Sequence, residues 1–484
     1  MAASGGDTLE TLANFVLLRS RNKESLATEG ARKGADVLGE RPLAEIADRI
    51  FAAARANQTE VLIHSQQEQL TRFAANTIHQ NVAETNASVR VRSVIGKKIG
   101  VASGNDLNEA ALKGVVEHAE AVARFQQENP EFRSLPGPAA VPSIDAYHAA
   151  TAECNPAQRA AGVRAILRLS RENGLSAAGA FATSLEEIGV YNSLGVAAYH
   201  RGTTASLMSV IMSEDSSGYA AAVSGDVSDL DPEEIGRVAV DKALRSQKPS
   251  PIEPGAYTVL LEEEAVADMV FFLGYLGLGA LSVQEGRSFM THRLGQQVTG
   301  EKITIWDDGL DPAGLALPFD FEGVPRRSVM LIENGIAKGV VYDTFTAGRE
   351  PGSESTGHSL PAPNTAGPLP IHLHMAPGSA TKEEMLGSID RGIWVTRFHY
   401  TNPVHPVKTI LTGMTRDGTF LIENGRITRP LKNLRFTQSI LEAFSRVEML
   451  GRDLKLIKQD WGNFATFAPA AIIHGFRFTG VTEF

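Results

Sequence analysis

FLIENGRITRPLKN, residues 420–433, contains an Asn-Gly pair between two apolar, alternating runs. A two-residue turn of this kind needs positive φ at both central residues, which asparagine and glycine adopt most readily, so the stretch predicts a β-hairpin. The letters Ile-Glu-Asn-Gly return in MLIENGIAKGVVYD at 330–343. Two such hairpins predict a substantial, mostly antiparallel sheet in the C-terminal part of the chain. The strand–helix alternation of a parallel sheet and the glycine-rich phosphate loops are both absent from the sequence.

Upstream of this region, the sequence predicts two small units that each contain a helix, antiparallel strands and a second helix. In the first unit, an amphipathic helix covers 43–54, short strands follow in TEVLIHS, QLTRFA, ASVRVRSV and KKIGVAS, and Asp106 is the expected N-cap of the second helix. In the second unit, Asn155 and Asp231 each precede a proline at a first helical position and are expected to cap two helices. The repeated order is compatible with an internal duplication, although unrelated α+β units share it.

Composition divides the chain into four parts. Residues 1–41 are polar and weakly patterned, and we expect a poorly ordered extension there. The stretches SLPGPAAVP and KPSPIEPG then separate an N-terminal α+β domain at 42–133, a middle α+β domain at 143–247 and a C-terminal domain at 256–484. The expected fold class is α+β, with small helix–antiparallel-strand–helix units at the N-terminal and middle regions and a large, mostly antiparallel β domain at the C-terminus.

Composition and charge exclude several classes of protein. The chain has 484 residues, of which 43% are hydrophobic and 21% charged, as in a folded globular protein. Its net charge of -10 argues against a protein that binds nucleic acid, because phosphate contacts require a basic surface. A single cysteine, Cys154, rules out an internal disulfide and a cysteine-rich zinc site.

The same composition favours a cytoplasmic protein that makes no membrane contact. The N-terminal residues do not have the pattern of a signal peptide. The most apolar run, MVFFLGYLGLGAL at 269–281, is too short to span a bilayer. We expect this run to be buried in the protein core or, alternatively, against a partner.

The C-terminal domain begins with an acidic stretch, VLLEEEAVADMV, at 259–270. If this stretch is helical, Glu264 and Asp268 lie one turn apart on one face, with Glu263 on an adjacent face. Carboxylates at that spacing can hold a hard cation such as Mg²⁺ or Ca²⁺, or can act as an acid–base pair. The alternative is a solvated first turn, where acidic side chains interact favourably with the helix dipole.

Histidines of the C-terminal domain are further candidates. His372 and His374 share one face of an expected strand and could ligate zinc, but no third ligand is evident, and structural histidines are commoner. His399 and His405 follow in TRFHYTNPVHP. His358 lies in a Gly/Pro-rich loop, where it is expected either to contact a ligand or to cap a turn.

Longer motifs add a family resemblance. DDGLDPAGLALPFDFEGVPRRSVMLIENGIAKGVVYDTFTAGREPGSESTGHS combines a DD turn, a D-x-E-G-V-P segment, a hairpin and an S-T-G-x loop. With WVTRFHYTNPVHP and LTGMTRDGTFLIENGRITRPLKNLRFTQSILEA, it resembles the TldD/TldE family, also called PmbA or modulator of DNA gyrase, and in particular the TldE-like branch. The resemblance runs from about residue 43 to the end and is most specific in the C-terminal domain. In the S-T-G-x loop, the expected substrate contacts are Thr356, Gly357 and His358.

The resemblance also identifies the positions in this chain that correspond to the zinc ligands of TldD members. TldD members carry H-E-x-x-x-H on a helix at the start of this domain, where two histidines and a later cysteine bind zinc and the glutamate is the assigned general base. Aligned on this chain, Glu263 stands at the first histidine, Glu264 at the glutamate and Asp268 at the second histidine. No cysteine follows Cys154. The resemblance therefore implies a degenerate site without bound metal, with zinc expected in a partner subunit.

The function implied by the resemblance is that of a non-catalytic, TldE-like subunit of a TldD/TldE-type metallopeptidase acting on unfolded or extended peptides. Its expected partner is a TldD-like subunit in a heterodimer, with a homodimer as a further option. Extended peptides suit strand addition, in which backbone hydrogen bonds provide sequence-tolerant affinity. Two alternatives stay open: a self-sufficient metal-dependent peptidase that uses Glu263, Glu264 and Asp268, and a peptide-binding or regulatory oligomer without hydrolytic activity.

Overall fold

The computed structural model describes residues 38–459 and 464–482, so the predicted extension at 1–41 lies almost wholly outside the described residues. The helices of the described part are α1 (Glu40–Ala53), α2 (Glu109–Phe125), α3 (Ala149–Ala152), α4 (Pro156–Glu172), α5 (Pro232–Arg245), α6 (Glu263–Gly277), α7 (Ala280–Gln284), α8 (Thr344–Arg349), α9 (Lys382–Gly387) and α10 (Ile440–Phe444). None of these described helices combines the length and the apolar content that crossing a bilayer would require.

The strands form two sheets. In chain order they are β1 (Gln58–Ala74), β2 (Thr77–Ile95), β3 (Lys98–Gly104), β4 (Ser176–Asn192), β5 (Ala197–Met212), β6 (Ser217–Ser224), β7 (Gly255–Leu261), β8 (Ile305–Asp307), β9 (Val329–Glu333), β10 (Ile336–Ala337), β11 (His372–Met375), β12 (Arg391–His405), β13 (Ile410–Glu423), β14 (Arg426–Pro430), β15 (Leu434–Ser439), β16 (Val447–Lys458) and β17 (Ala465–Val481). This mixture of helices and mostly antiparallel strands confirms the predicted α+β class.

The N-terminal and middle regions share one six-stranded sheet with the order β3-β2-β1-β4-β5-β6. Each region contributes three strands and flanking helices in the same chain order, and antiparallel pairing of β1 with β4 joins them. The prediction of two strands in TEVLIHS and QLTRFA was wrong, because both belong to the single 17-residue strand β1. The polar residues between them stay in the ladder, where Gln66 pairs with Asn86 on one side and with Glu186 on the other.

Helix capping follows the sequence signals with one exception. Asn155 and Asp231 cap α4 and α5 as predicted, each accepting a hydrogen bond at 3.0 Å from the amide three residues later. The N-cap of α2 is Asn108, whose side chain accepts from the Ala111 amide at 2.9 Å. Asp106, the predicted cap, instead accepts from the Asn108 amide at 2.9 Å and so forms the turn that precedes the helix.

The C-terminal domain is built on an eleven-stranded sheet in which β17, β15, β13, β12 and β7 form a closed ring, because β7 pairs with both β12 and β17. Most neighbours are antiparallel, and the parallel pairs are β7 with β12 and β11 with β17. Both predicted hairpins are confirmed. Asn334 and Gly335 connect β9 to β10 with φ of 49° and 77°, and Asn424 and Gly425 connect β13 to β14 with φ of 51° and 70°.

The apolar run at 269–281 is buried in the core of this domain, as the first of its two alternatives predicted. Val270 and Leu273 on α6 are 0% exposed, and Leu276 is 7% exposed. Burial of each such side chain contributes about 1.5 to 3 kcal/mol. At the end of α6, a Cβ on Gly277 would lie 2.5 Å from the ring of Phe289, so close packing requires glycine there. The buried helix fixes its first turn against the closed ring of strands.

Candidate functional site: a buried glutamate–lysine cluster

Three consecutive glutamates lie at the turn from β7 into α6. Glu262 is the N-cap residue of α6, and Glu263 and Glu264 occupy the first helical turn. The Glu262 side chain makes no capping bond to the helix, but its amide donates to the carbonyl of Val395 on β12 at 3.0 Å. Carboxylates near a helix N-terminus interact favourably with the exposed amides and the helix dipole.

Each glutamate is paired with a different lysine. Lys242 Nζ lies 2.7 Å from Glu262 Oε2. Lys382 Nζ lies 2.9 Å from Glu263 Oε2, and Lys455 Nζ lies 2.6 Å from Glu264 Oε1. Lys242 is on α5 in the middle region, Lys382 begins α9, and Lys455 is on β16. We call these six residues the glutamate–lysine cluster.

Glu262 is also held from the sheet. Its Oε1 accepts from the indole Nε1 of Trp394 at 2.6 Å and from the hydroxyl of Thr396 at 3.3 Å. Since Trp394 and Thr396 lie on β12 and Lys242 lies on α5, this carboxylate joins the middle region, the ring of strands and the start of α6. A carboxylate with this many partners is fixed in orientation.

The cluster is buried on its acidic side and partly open on its basic side. Glu262 is 4% exposed and Glu263 is 5% exposed. The side chains of Lys382 and Lys455 are 36% and 33% exposed. The expectation of a solvated first turn was therefore wrong, because three distant segments bring cations over these carboxylates and exclude water from them.

The lysines favour the ionised form of Glu264. Burial opposes ionisation of Glu264, but the ammoniums of Lys455 and Lys242 outweigh it and lower the pKa of that carboxyl. Burial likewise opposes the charged form of Lys382 and Lys455, and the three glutamates outweigh it and raise the pKa of both ammoniums. Three negative and three positive charges thus balance within the cluster.

The carboxylate oxygens of the three glutamates lie within 4.8 Å of one another, which is close enough for a shared cation. Among residues 38–459 and 464–482, this is the only group of three or more metal-capable side chains so arranged, and it contains neither histidine nor cysteine. One oxygen of each glutamate is already hydrogen-bonded to an ammonium group. Glu264 Oε2 is buried without a hydrogen-bond partner. Asp268 lies one turn further along α6, half-buried and with a polar interaction of its own.

The S-T-G-x loop is separate from the glutamate–lysine cluster, and its glycine and histidine are buried. His358 is 0% exposed, and its Nε2 lies 2.7 Å from Asp307 Oδ1 on β8. Its Nδ1 lies 2.9 Å from both the hydroxyl and the carbonyl oxygen of Thr356. Burial lowers the pKa of His358 and Asp307 opposes that effect. In this arrangement His358 anchors the loop to β8, and Gly357 beside it has a positive φ of 76°.

The other candidate histidines do not converge on a metal site in the described chain. His372 and His374 share β11 as predicted, and each is 5% exposed. Burial lowers the pKa of His372 to about 3, with Arg326 adding to the effect, so this ring is neutral. The His374 ring packs between Trp306 at 5.2 Å and Phe467 at 4.9 Å. His399 and His405 lie on β12.

A second buried group of charges lies between the first sheet and the C-terminal domain. Arg92 on β2 is bonded to Glu60 on β1 and, at 2.9 Å, to Glu322. Burial raises the pKa of Glu60 to about 7, an effect that Arg92 opposes and Glu322 reinforces. Burial, with a contribution from Glu322, also raises the pKa of Asp320 to about 8 and that of Asp343 to about 6. Two buried carboxyls, Glu60 and Glu322, therefore share the guanidinium of Arg92 at this junction, and Asp320 and Asp343 lie close enough to Glu322 to interact with it.

Sequence reasoning identified the acidic side of the cluster and missed the basic side. Lys242, Lys382 and Lys455 lie far apart in the chain, and no local motif marks them. One signal was available: three glutamates beside a strongly apolar helix cannot all be buried without cations, so the fold must supply some. Which lysines supply them depends on the packing of α5, α9 and β16 around the start of α6.

Comparisons with known proteins agree with this architecture. Models of the PmbA/TldA metallopeptidase family match three consecutive parts of the chain: domain 1 at 59–123, the central domain at 146–247 and the C-terminal domain at 254–480. The crystal structure of TldE from Thermococcus kodakarensis superimposes with a TM-score of 0.83 at 21% identity, covering 90% of this chain and 100% of that chain. The two proteins therefore share a fold.

Named relatives point the same way. The metalloprotease PmbA homolog of Haemophilus influenzae is 25% identical over 399 residues, which are 78% of this chain and 83% of that protein. The metalloprotease TldD homolog of Buchnera aphidicola subsp. Acyrthosiphon pisum is 31% identical over 176 residues, 36% of each chain, so the matched part spans about a third of that relative. Together with the three family models, these matches show that the chain belongs to the PmbA/TldD/TldE metallopeptidase family.

Proposed function

We propose that this chain is the metal-free, TldE-like subunit of a TldD/TldE-type peptidase complex that acts on unfolded or extended peptides. One observation carries the proposal: three lysine ammoniums neutralise the carboxylates at the start of α6, where the family resemblance places the zinc motif. A site whose charge is already balanced by the protein has no electrostatic need for a metal ion.

The residues present do not fit zinc. Structural and catalytic zinc sites rely on imidazole and thiolate donors, with carboxylates as a minority. Glu263 and Asp268 stand where the resemblance places imidazoles, and the chain's one cysteine, Cys154, lies between α3 and α4 in the middle region. A metal at this position would have to displace ammonium groups that already hold Glu263 and Glu264. We therefore assign no hydrolytic step to this chain alone.

The cluster has a structural role in this proposal. Glu262 ties α5 and β12 to the start of α6 through Lys242, Trp394 and Thr396. Lys382 and Lys455 bring α9 and β16 to the same turn. The ion pairs thus hold five elements in the geometry that a partner subunit would meet. We propose that the subunit completes the assembly and restricts access to the partner's zinc, in the cytoplasm.

A second candidate function keeps one supporting observation. The carboxylates of Glu262, Glu263 and Glu264 lie within 4.8 Å of one another, as the ligands of a hard cation such as Mg²⁺ or Ca²⁺ would, and two of them belong to the predicted acidic set. On that view the chain is a self-sufficient peptidase that uses Glu263, Glu264 and Asp268. The lysine pairing weighs against it, because each ammonium would have to leave before an ion could bind.

Metal analysis of the purified chain separates the two candidates. The chain is incubated with Zn²⁺, Mg²⁺ or Ca²⁺, desalted and measured, both alone and after mixing with the TldD-type subunit encoded in the same genome. We expect no stoichiometric metal in the chain alone, and in the mixture no more zinc than the TldD-type subunit binds by itself. A stoichiometric ion in the isolated chain, lost in Glu264→Gln, would contradict the proposal.

Peptidase activity provides the second readout. We expect hydrolysis of an unfolded peptide only in the mixture, and we expect Glu264→Gln to leave that activity within a few-fold of wild type, because this carboxylate acts on Lys455 and on no substrate. Glu117→Gln, on the exposed face of α2, is the matched control. A hundredfold loss in Glu264→Gln with folding intact, or hydrolysis by the isolated chain, would show that the glutamates carry out chemistry.

A further inference from the structure

The hairpin that joins β12 to β13 presents apolar side chains to solvent. We call residues 399–410 the β12–β13 arm. Tyr400 is 75% exposed, Val404 is 57% exposed and Val407 is 45% exposed. Scattered single apolar residues are normal on a protein surface, but three exposed ones within eight positions of one hairpin are an unusual local concentration. Tyrosine is also enriched at interfaces, and a single buried aromatic side chain covers on the order of 150 Å² or more.

One edge of the arm has no neighbouring strand in the described chain. β7 pairs with β12 only at residues 392–395. Beyond that point β12 continues to His405 with β13 as its ladder partner. Register shifts between His399 and Asn402 and between Pro403 and His405 interrupt this ladder, and Tyr400 has a positive φ of 54°. Such irregularities prevent indiscriminate strand pairing, so the exposed edge suits a specific contact.

The opposite side of the arm is fixed to the domain. Thr409 is 0% exposed, and its carbonyl accepts from the Ile440 amide at 2.9 Å. The carbonyl of Lys408 accepts from the Ser439 hydroxyl at 2.9 Å. At the base of the arm, Arg397 Nε donates to Asp417 at 2.7 Å. The exposed side chains therefore project from a preorganised support, which reduces the conformational entropy lost on binding.

The charge of the arm selects the kind of partner. Between residues 399 and 410 the arm contains one cationic side chain, Lys408, and no carboxylate, in a chain whose net charge is -10. Arg397 and Arg416, at the base of the arm, both lie within ion-pair distance of the buried carboxylate of Asp417 and do not add to this charge. Two arms facing each other across a two-fold axis would bring like charges together. An apolar surface rimmed by carboxylates is the complementary partner.

We propose that the β12–β13 arm docks this chain onto the TldD-type subunit, through an apolar surface of that subunit rimmed by acidic side chains. The inference rests on the proposed function, since it names the surface through which the subunit joins its partner. Tyr400 and Val404 supply the apolar contact, and Lys408 supplies the electrostatic complement. The glutamate–lysine cluster is not part of this contact.

The test is the affinity between the full-length chain and the TldD-type subunit from the same genome, measured by sedimentation velocity across protein concentrations. We expect Tyr400→Ser and Val404→Glu each to raise the Kd at least tenfold, because truncation of a central interface anchor has effects of that size. Phe125→Ser and Leu294→Glu are the matched controls, since these side chains are 92% and 52% exposed outside the arm. Both controls should keep the wild-type Kd.

The electrostatic part has its own readout. We expect Lys408→Glu to raise the Kd and to weaken the dependence of the Kd on salt between 50 and 500 mM NaCl. Over this range the Debye length falls to about a third of its starting value. Circular dichroism and thermal melting of each variant check that the fold is intact, which is expected because the substituted side chains are exposed. A salt-independent wild-type complex would contradict the charge argument.

Outcomes separate this inference from the proposed function. A complex that forms equally well with Tyr400→Ser and Val404→Glu would overturn the arm as the contact and leave the proposed function standing. A wild-type chain that self-associates through the arm, or that stays monomeric in the mixture, would overturn the inference, and the monomeric result would also overturn the proposed complex. Stoichiometric metal in the isolated chain would overturn the proposed function alone.

Discussion

Stability of the contact between the first sheet and the C-terminal domain should fall as pH rises from 5 to 8. The group responsible is the buried set of charges around Arg92. Glu60 on β1 faces Arg92 on β2 and Glu322 of the C-terminal domain. Asp320 and Asp343 lie in the same set and interact with Glu322. Glu60 and Glu322 share the Arg92 guanidinium. With Asp320 and Asp343 nearby, the four carboxyls are each at most 6% exposed, so they cannot all be ionised without cost.

The size and sign of this change in stability with pH follow from the pKa of Glu60. Its pKa is raised from 4.5 to about 7 in the folded chain. The folded state therefore binds this proton more tightly than the unfolded state, so the stabilisation is fully present below pH 4.5 and is lost as pH rises through 7. The difference between a pKa of 4.5 and one of about 7 corresponds to a loss of about 3 kcal/mol of folding free energy over that pH range. Asp320, with a pKa of about 8, extends the decline to higher pH.

Glu60→Gln isolates this contribution. Glutamine approximates the protonated carboxyl and can still accept a hydrogen bond from Arg92. We expect the variant to match wild type near pH 5 and to be more stable by up to about 3 kcal/mol at pH 8. Hydrogen exchange at the Thr344 amide, which donates to Glu322 Oε2 at 3.2 Å, reports opening of the contact once rates are corrected for intrinsic exchange. Glu117→Gln, at an exposed position, is the control.

Two results would refute this reasoning. One is an opening free energy in wild type that stays constant between pH 5 and 8. The other is a pH dependence in Glu60→Gln that equals that of wild type, which would mean that other groups carry the proton. Because Glu60 and Glu322 interact through Arg92, the double variant with Glu322→Gln then shows how the proton is distributed between them.

Two further predictions concern the start and the end of α6. Lys455→Met should destabilise the chain by about 1 to 3 kcal/mol, less than for a fully buried pair because a third of the lysine is exposed. Glu264→Gln in the same chain should recover part of this loss. Chemical denaturation of wild type, the two single variants and the double variant measures the coupling, and an undiminished loss in the double variant would contradict the ion pair. Leu276→Asp should lower the free energy of unfolding of the C-terminal domain by about 3 kcal/mol or more, since this side chain is 7% exposed. Circular dichroism measures the loss of fold and light scattering measures the association state. A folded but dissociated subunit would place Leu276 at an interface.

Much of the fold was predictable because its signals are local. The Asn-Gly turns at 334–335 and 424–425 adopt positive φ for steric reasons that involve few residues. Asn155 and Asp231 satisfy helix amides within three residues of themselves. The apolar run at 269–281 had to be buried in some way. The prediction of two short strands in place of β1 failed because it relied on local polarity. The polar middle of β1 remains a strand because it is hydrogen-bonded to β2 on one side and to β4 on the other.

The candidate site was predictable only in part. Glu263, Glu264 and Asp268 were identified from spacing and family resemblance, and the structure places them at the start of α6. Their surroundings were not predictable, because the lysines that pair with the glutamates lie 20, 119 and 191 residues away in the sequence. The substrate-contact role of Thr356, Gly357 and His358 stays a prediction; in this conformation His358 is buried against Asp307.

By itself, the sequence determined most of the elements with their caps and turns, the α+β class and the absence of imidazole and thiolate donors at 263, 264 and 268. Only the tertiary structure decided that the two N-terminal regions share one sheet, that β7 closes a ring, and that three lysines cover three glutamates. The physical reason is range. Turn and capping preferences act within a few residues, whereas a buried charge can be stabilised only by whatever distant group the fold brings within a few ångströms.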